Sequence, residues 1–358
     1  MSDAPVTLSQ VAREAGVSLA TASRAINGSA TRSVREDLRE RVLEAARRLA
    51  YSPDPSAQAM ARGRTTALGL VVHDIADPYF STIAAGVARA AERAGLIVTL
   101  ASTEHSSARE LAFVELARRQ RSRAIILAGG RLEPQGSQPA DGAAPAEASA
   151  LEAALNAFQE AGGGVALIGQ PIGGLPVVEI ANADGAADLA RALHGLGYRR
   201  FAVLAGPEGH RTAADRTAGF TGALAELGSP VAPDDVLACP FTRDGGYSAM
   251  RDLIARTGGG RATTRLPELV FAVNDVMAVG AMAAVRDAGL GVPDDVAVAG
   301  FDDIHTLRDV SPGLTTVQIP LAQVGELATD LALGQAGDTG TPVRGEVVLR
   351  ESTPSLLG

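Results

Sequence analysis

The chain has 358 residues, and its 41 acidic against 32 basic side chains give a net charge of −9. This balance excludes a protein coated with nucleic acid along its whole length, and the length suggests two or three domains. The charge is uneven, because residues 1–64 hold ten arginines against seven acidic residues. A basic head on an acidic body is expected when only the head touches a polyanion.

The composition also bears on the compartment. The single cysteine, Cys239, allows no internal disulfide and favours a reducing environment. The opening MSDAPVTLSQ lacks the basic and apolar regions of a signal peptide, and no apolar run is long enough to span a bilayer. We therefore expect a cytoplasmic protein with no membrane partner.

The first segment, VTLSQVAREAGVSLATASRAING, predicts two short helices. Thr7 and Gln10 have the spacing of a capping box, and Gly16 ends the first helix. Ser18 caps the second. The inward apolar positions are Leu8, Val11, Ala12, Ala15, Ala22, Ala25 and Ile26, whereas Leu19, Ala20, Thr21, Ser23 and Arg24 face outward. Two short helices around a glycine turn predict a helix-turn-helix, whose second helix lies in the major groove of DNA.

A third helix is predicted to follow. Ser33 and Glu36 offer another capping box, and an apolar stripe runs from Val34 through Val42 to Leu49. Three such helices could also form a small bundle used for protein contacts. The basic charge and the Ser/Thr/Arg outer face favour DNA binding over that alternative.

The head, continued by RERVLEAARRLAYSPDPSAQAMARGRTTALGLVV, resembles the lactose-repressor (LacI) family of bacterial transcription regulators, and the likeness extends to the end of the chain. The resemblance implies that Leu19, Ala20 and Arg24 read base edges. It also implies a set of residues that hold phosphates or cap helices, namely Thr7, Ser18, Thr21, Ser23 and Asn27. The loop GSATRSV and Arg35, which stands at the usual serine cap, depart from the family pattern.

The segment SPDPSAQAMARGRTT links head and body. Asp54 and Pro55 suit a helix start, but two turns of helix are marginal alone in water. The residues by themselves favour a plain linker. The resemblance implies instead that hinge helices of two subunits pair in the minor groove, where Ala57 and Met60 are the expected contacts and Met60 replaces the wedging leucine.

From residue 66 onward, apolar runs alternate with helical stretches. The predicted strands include ALGLVVH, LIVTLAS, AIILAGG, VALIGQP, VVEIAN, FAVLAG, PELVFAVND and VAVAGFDD. The predicted helices include Phe80–Gly95, Ala108–Gln120, Gly185–Leu196 and Val276–Ala288. Glu133–Ser149 is expected to be a loop. Strand–helix alternation predicts doubly wound parallel sheets, and about ten strands suggest two lobes.

The resemblance implies a two-lobed body of the periplasmic-binding-protein type, with chain crossings near Asn182, Thr315–Pro320 and Val347. The predicted domains are therefore a helix-turn-helix domain (1–52), a hinge (53–65) and an effector-binding and dimerisation domain (66–358). Within the last, one lobe takes about 66–181 and 319–346, and the other about 182–318 and 347–358.

Polar residues gather where strands end, which is where open α/β sheets bind ligands. Asp74 follows the first strand, and Asn274 and Asp302 follow two later ones. The other candidates are Arg216 and the aromatic residues Tyr79, Phe80 and Phe241. Each could be only structural, since a strand-end Asp often caps the next helix. The resemblance implies that Arg216, Asn274 and Asp302 contact an effector and that Phe241 is an aromatic wall.

These residue types favour a sugar or sugar derivative as effector, with a purine or nucleoside as the second choice. Gly169 and Gln170 stand where many relatives have Asp and Arg, which weakens a specific sugar assignment. We expect a homodimeric, ligand-responsive repressor of a pseudo-palindromic operator. The competing class is a small-molecule binding protein that does not bind DNA.

An enzyme is not expected. The five histidines are scattered without partner spacing, and we see neither a metal-ligand cluster nor a cofactor motif. The adjacent Asp302 and Asp303 are the sharpest hint of acid–base chemistry. Neighbouring side chains generally diverge, however, so a shared role is not expected.

Overall fold

The computed structural model describes residues 6–27, 34–52, 64–130, 143–256, 266–337 and 340–357. Two compact units make up the chain. The first joins Met1–Ala67 with Arg118–Arg123, and the second joins Leu68–Ala117 with Ala124–Gly358. Among the described helices, none combines the length and the apolarity that a membrane crossing requires.

The described part of the first unit contains three helices: α1 (Leu8–Glu14), α2 (Leu19–Asn27) and α3 (Glu36–Arg48). The capping box of α1 is present, because the Gln10 amide donates to Thr7 Oγ1 at 3.4 Å and the Thr7 amide donates to Gln10 Oε1 at 2.7 Å. Gly16 has φ +64 in the turn. The small core consists of Val11, Ala12, Ala15, Ala22, Ala25, Val42 and Ala45. The predicted helix-turn-helix is confirmed.

The predicted capping box of the third helix is wrong. Helix α3 begins at Glu36, and its N-cap Arg35 makes no side-chain capping hydrogen bond. Ser33 lies outside the described residues. Glu36 and Asp37 place negative charge in the first turn, where it interacts favourably with the helix dipole, and Arg35 pairs with Asp37 at 2.6 Å.

The body contains two parallel sheets. The first lobe surrounds a five-stranded sheet of order β2-β1-β3-β4-β5, and the second lobe surrounds a four-stranded sheet of order β7-β6-β8-β9. The first-lobe strands are β1 (Ala67–Val72), β2 (Ile97–Ser102), β3 (Ala124–Gly129), β4 (Gly164–Gly169) and β5 (Val177–Val178). The second-lobe strands are β6 (Phe201–Gly206), β7 (Val236–Ala238), β8 (Leu269–Ala272) and β9 (Ala297–Ala299).

Helices pack against both sheets. They are α4 (Pro78–Arg93), α5 (Ser107–Arg119), α6 (Ala143–Glu160), α7 (Asn182–Gly195), α8 (Arg211–Glu226), α9 (Arg243–Arg256), α10 (Asp275–Asp287) and α11 (Leu321–Ala332). Short 3₁₀ helices span Pro233–Asp235 and His305–Asp309. Strands such as β8 are buried along their whole length, as expected for parallel sheets covered on both faces. The predicted fold class is confirmed.

Several boundaries differ from the sequence-based ones. The loop predicted at Glu133–Ser149 is wrong from Ala143 onward, where α6 begins, because Leu151, Leu155 and Phe158 form a buried helical stripe. Helix α7 begins three residues earlier than predicted, at Asn182. Strand β7 and helix α9 were not predicted at all.

The three expected crossing segments lie side by side. Strand β10 (Thr316–Gln318) pairs antiparallel with β11 (Glu346–Val348). Ile180 forms a bridge to Val343, and the Ala181 amide donates to the carbonyl of Val343 at 2.9 Å. Movement at one of these segments therefore strains the hydrogen bonds of another.

Candidate functional sites

The outer face of α2 carries the predicted base-reading side chains. Leu19 is 51% exposed and Ala20 is also exposed. Arg24 folds back along the helix, since its Nε donates to the Ala20 carbonyl at 3.0 Å. Breaking that hydrogen bond would let the guanidinium extend from the helix. The base-reading roles of these three residues stay predictions.

The polar residues of the head mostly bond to one another. The Thr21 amide donates to Ser18 Oγ at 3.1 Å, so Ser18 caps α2, and the two hydroxyls lie 2.9 Å apart. Asn27 Nδ2 donates to Ser23 Oγ at 3.3 Å. Thr7 serves the capping box of α1. Their phosphate contacts stay predictions, and Ala57 and Met60 lie outside the described residues.

A cavity between the two lobes brings the predicted effector residues together. All seven line it: Asp74, Tyr79, Phe80, Arg216, Phe241, Asn274 and Asp302. Asp74, Phe241, Asn274 and Asp302 follow strands of the two sheets, and the other three lie in α4 and α8. The cavity thus lies at the carboxyl-terminal ends of the strands, the location at which open α/β folds bind ligands. The geometry is therefore that of a ligand cleft, and effector contact by each residue stays a prediction.

Arg216 is the hub of this cleft. It is 1% exposed, and its three nitrogens donate to Asn182 Oδ1, to the Val273 carbonyl and to Asp302 Oδ1, each at 2.8 Å. Its guanidinium lies 3.9 Å from the centre of the Phe301 ring. One side chain thus joins the start of α7, the end of β8 and the residues after β9.

Asn274 and Asp275 also have structural roles. Asn274 Oδ1 accepts from the Met277 amide at 2.9 Å, so it caps α10 while lining the cleft. Asp275 accepts from Thr316 Oγ1 at 2.7 Å and from the Ile304 amide at 3.0 Å. Burial raises the pKa of Asp275 to about 6.

The carboxylates of Asp302 and Asp303 point to different partners, as expected for adjacent residues. Asp302 pairs with Arg216, whereas Asp303 accepts from Arg350 Nη2 and from Gln318 Nε2, both at 2.7 Å. Burial raises the pKa of Asp302 to about 7, although Arg216 opposes the shift. The separation of the two groups argues against a shared acid–base role.

Three of the five histidines meet in the cleft, which corrects the view that they are scattered. His73 and His105 stack with ring centres 4.2 Å apart, and His210 stacks on Phe241 at 4.8 Å. Each lies shortly after a strand, which was the signal available in the sequence. Among the described residues, no three His, Cys, Asp or Glu side chains are placed to hold a metal ion.

His210 is held neutral by its surroundings. Its Nδ1 accepts from the Ala213 amide at 3.4 Å and caps α8. Burial lowers the pKa of His210 to about 4, and His105 and Arg216 contribute to the lowering. At neutral pH this imidazole is therefore an uncharged hydrogen-bonding group.

The lobes approach closely at Gly130, which follows β3. A Cβ atom there would lie 2.7 Å from His210 Cε1 and 3.1 Å from Thr212 Oγ1 of the second lobe. Gly169, at the end of β4, also lines the cleft with φ +99. The lack of a side chain at Gly130 allows the two walls of the cleft to come together there.

Comparison with known proteins identifies the family to which this chain belongs. Residues 7–54 match the bacterial regulatory proteins of the lacI family, and residues 190–353 match a periplasmic binding protein-like domain. The transcriptional regulator GalS of Salmonella typhimurium strain LT2 is 33% identical over 336 residues, which cover 93% of this chain and 91% of GalS. The chain belongs to the lacI family of bacterial regulatory proteins.

Solved structures agree with this assignment. A lac repressor dimer bound to operator and the anti-inducer ONPF has a TM-score of 0.78 at 25% identity, covering 98% of this chain and 100% of that one. A complex of the transcriptional regulator CelR with cellobiose has a TM-score of 0.64 at 29% identity, covering 97% and 99%.

Family membership decides between the two interpretations of the head. The lacI match at residues 7–54 includes α1, α2 and α3. This lacI-family chain is a DNA-binding transcriptional regulator. The alternative of a three-helix bundle used only for protein contacts is excluded.

Proposed function

We propose that this regulator is a homodimeric repressor whose operator affinity is set by a sugar or sugar derivative bound in the interlobe cleft. The observation that carries the proposal is the joining of Arg216, Asp302 and Asn274 at one cavity. Guanidinium, carboxylate and amide groups hydrogen-bond the hydroxyls of a sugar, and Phe241 offers an apolar face. The cellobiose complex of CelR supports a carbohydrate effector.

The charge of the cleft limits the class of ligand that it can bind. Its lining contains Asp74, Asp77 and Asp302, and Arg216 is its one arginine among the described residues. Because Arg216 already pairs with Asp302 and His210 is uncharged at neutral pH, an anionic ligand finds little positive charge to pair with. We therefore propose an uncharged effector.

A nucleoside is the second candidate. The rings of His210 and Phe241 lie nearly parallel, with an interplanar angle of 21°. Both residues line the cleft, and the flat face of an aromatic ring suits stacking by a nucleobase. The same carboxylate and arginine groups would then hold the ribose hydroxyls.

The proposed DNA contacts follow the geometry of helix-turn-helix dimers. Two copies of α2 enter successive major-groove half-sites of a pseudo-palindromic operator. Leu19, Ala20 and Arg24 read base edges, while Thr7, Ser18, Thr21, Ser23 and Asn27 fix the phosphates. Ala57 and Met60 contact the minor groove between the half-sites. The protein acts in the cytoplasm by binding and not by turnover.

Effector control requires a difference in affinity between two lobe arrangements. Arg216 and Asp302 bond to the residues at the crossings, since Asn182 lies beside Ile180 and the Asp302 amide donates to the Val317 carbonyl at 2.9 Å. A hydroxyl that bonds to these two side chains therefore changes the hydrogen bonds at the crossings. This is the proposed origin of the coupling.

The test is a thermal-shift screen of the full-length protein against uncharged sugars, their phosphates and nucleosides. Asp74→Asn, which changes an exposed cleft carboxylate, should weaken the response, because ligands stabilise the native state by mass action. Asp252→Asn, on the exposed face of α9, is the matched control. Stabilisation by phosphorylated sugars alone would contradict the proposal. Chemical conversion of the ligand during incubation with the protein would also contradict it.

A further inference from the structure

An arginine-rich segment spans the end of helix α5 and the residues that follow it. It reads RRQRSR, and we name Arg118–Arg123 the arginine loop. Arg118, Arg119 and Arg121 are exposed, and Arg123 is half-buried. Four guanidinium groups within six residues form a dense positive patch, and neither an acidic residue nor a lysine lies among them.

The arginine loop belongs to the same compact unit as the head. The Thr65 amide donates to the Arg121 carbonyl at 3.0 Å, and the Arg123 amide donates to the Ala67 carbonyl at 2.8 Å. Both bonds fasten the loop to residues that follow the segment between head and body. Residues 1–64 already carry an excess of arginine, and the loop adds four more positive charges to that unit.

The loop differs from the body in how its arginines are paired. In the described part of the second unit, every arginine except Arg199 and Arg308 has a carboxylate oxygen within 4.0 Å. Within the described residues, Arg118, Arg121 and Arg123 form no ion pair. The acidic body therefore neutralises its own arginines and leaves these three guanidinium groups available.

Helix stabilisation explains only part of this pattern. Arg118 and Arg119 lie in the last turn of α5, where positive charge interacts favourably with the helix dipole. Arg121 and Arg123 lie beyond the helix, where that effect has fallen off. Arg121 also has φ 54, a conformation that favours glycine. A residue other than glycine is uncommon at such a position.

We propose that the arginine loop binds backbone phosphates of the DNA duplex that the head engages, outside the base pairs read by α2. Guanidinium groups pair with phosphate oxygens through two parallel hydrogen bonds. Such contacts strengthen binding and fix its register without reading sequence. The arginine loop thereby supplies a second DNA-contacting surface in addition to helix α2.

The experiment measures binding of the full-length protein to a long random-sequence duplex across a salt series. The triple variant Arg118→Gln, Arg121→Gln and Arg123→Gln should flatten the plot of log affinity against log salt by about 0.9 for each phosphate that the loop no longer neutralises. The matched control is Arg191→Gln, Arg251→Gln and Arg256→Gln, which removes the same charge from exposed positions of the second lobe. It should leave the slope unchanged.

Two further measurements make the result decisive. Lysine at the same three loop positions should retain most of the wild-type slope, since the charges remain. If the triple variant is poorly folded in a thermal melt, the single variants Arg118→Gln and Arg121→Gln are measured instead, and each should lower the slope. A loop variant whose slope matches that of the wild type, or a control whose slope falls as far as that of the loop variant, overturns the proposal.

Discussion

Replacing Arg216 by methionine tests the buried network at the centre of the cleft. The change keeps much of the side-chain volume but leaves the Asp302 carboxylate, which is 4% exposed, without its cation. It also leaves Asn182 Oδ1 and the Val273 carbonyl without their guanidinium donors. Breaking a buried ion pair from one side costs about 3–5 kcal/mol of unfolding free energy. Burial raises the pKa of Asp302 to about 7. The unpaired carboxylate can therefore take up a proton, and we expect a loss of unfolding free energy near the lower end of that range.

A double-mutant cycle separates the ion pair from general packing. Asp302→Leu alone leaves a buried cation, and the combination with Arg216→Met removes both charges. We expect a coupling energy of about 2–3 kcal/mol, so that the double variant is more stable than the sum of the single losses predicts. The control cycle uses the exposed pair Arg344–Asp184, whose 2.9 Å separation is close to the 2.8 Å of the buried pair but which should couple by less than about 1 kcal/mol.

Urea unfolding followed by circular dichroism suits this chain, because it contains no tryptophan. Protein concentration is held constant, since dimer dissociation contributes to the apparent stability. The same variants should retain salt-dependent binding to random DNA while losing the thermal response to effector. Additive losses of unfolding free energy in the Arg216–Asp302 cycle would refute the ion-pair reasoning. A wild-type thermal response to effector in the double variant would show that neither residue is needed for effector binding.

Three other changes test separate parts of the molecule. Arg24→Ala should cost about 1–3 kcal/mol of operator binding and relax preference at one base position, so an unchanged profile over single-base operator variants would contradict base reading. His210→Asn keeps a capping side chain for α8 but removes a group whose pKa burial lowers to about 4. Since the unfolded imidazole takes up a proton near pH 6.5, the wild type should lose up to about 3 kcal/mol relative to this variant as the pH falls from 7 to 4; parallel pH curves would rule this out. Gly130→Ala places a methyl group 2.7 Å from His210 Cε1 and should weaken effector binding in a titration, whereas unchanged affinity would mean that the lobes do not need to close there.

The sequence predicted what depends on local periodicity and capping. Alternating strands and helices indicated the fold class, and the Thr7–Gln10 capping box located the first helix. The strand ends also identified Asn274 and Asp302 as candidates. The pairing of Asp302 with Arg216 was not predicted, because the two residues are 86 positions apart and meet only when α8 and β9 pack in the same lobe.

Other features were missed because their signal is not local. A lone histidine after a strand has no characteristic spacing, so His73, His105 and His210 were separated in the sequence and meet only across the cleft. The start of α6 was hidden by a Pro- and Gly-rich stretch before it. The sequence placed Arg118 and Arg119 in the predicted helix Ala108–Gln120 and assigned Arg121 and Arg123 to no element. Only tertiary structure reveals that three of the four arginines of the loop have no carboxylate partner among the described residues.

The paired aspartates after β9 offer a physical connection between cleft and crossings. Asp302 has φ 119 and Asp303 has φ 55, and both side chains are held by arginines, Arg216 in the cleft and Arg350 after β11. An effector that takes over one bond of Arg216 therefore changes the restraint on a backbone already in an unfavourable conformation. Allosteric coupling typically amounts to about 1–3 kcal/mol, and one hydrogen bond to a charged group contributes about 1.5–3 kcal/mol. A single bond at Arg216 that is present in only one of two lobe arrangements would thus suffice to change operator affinity by a factor of about ten or more.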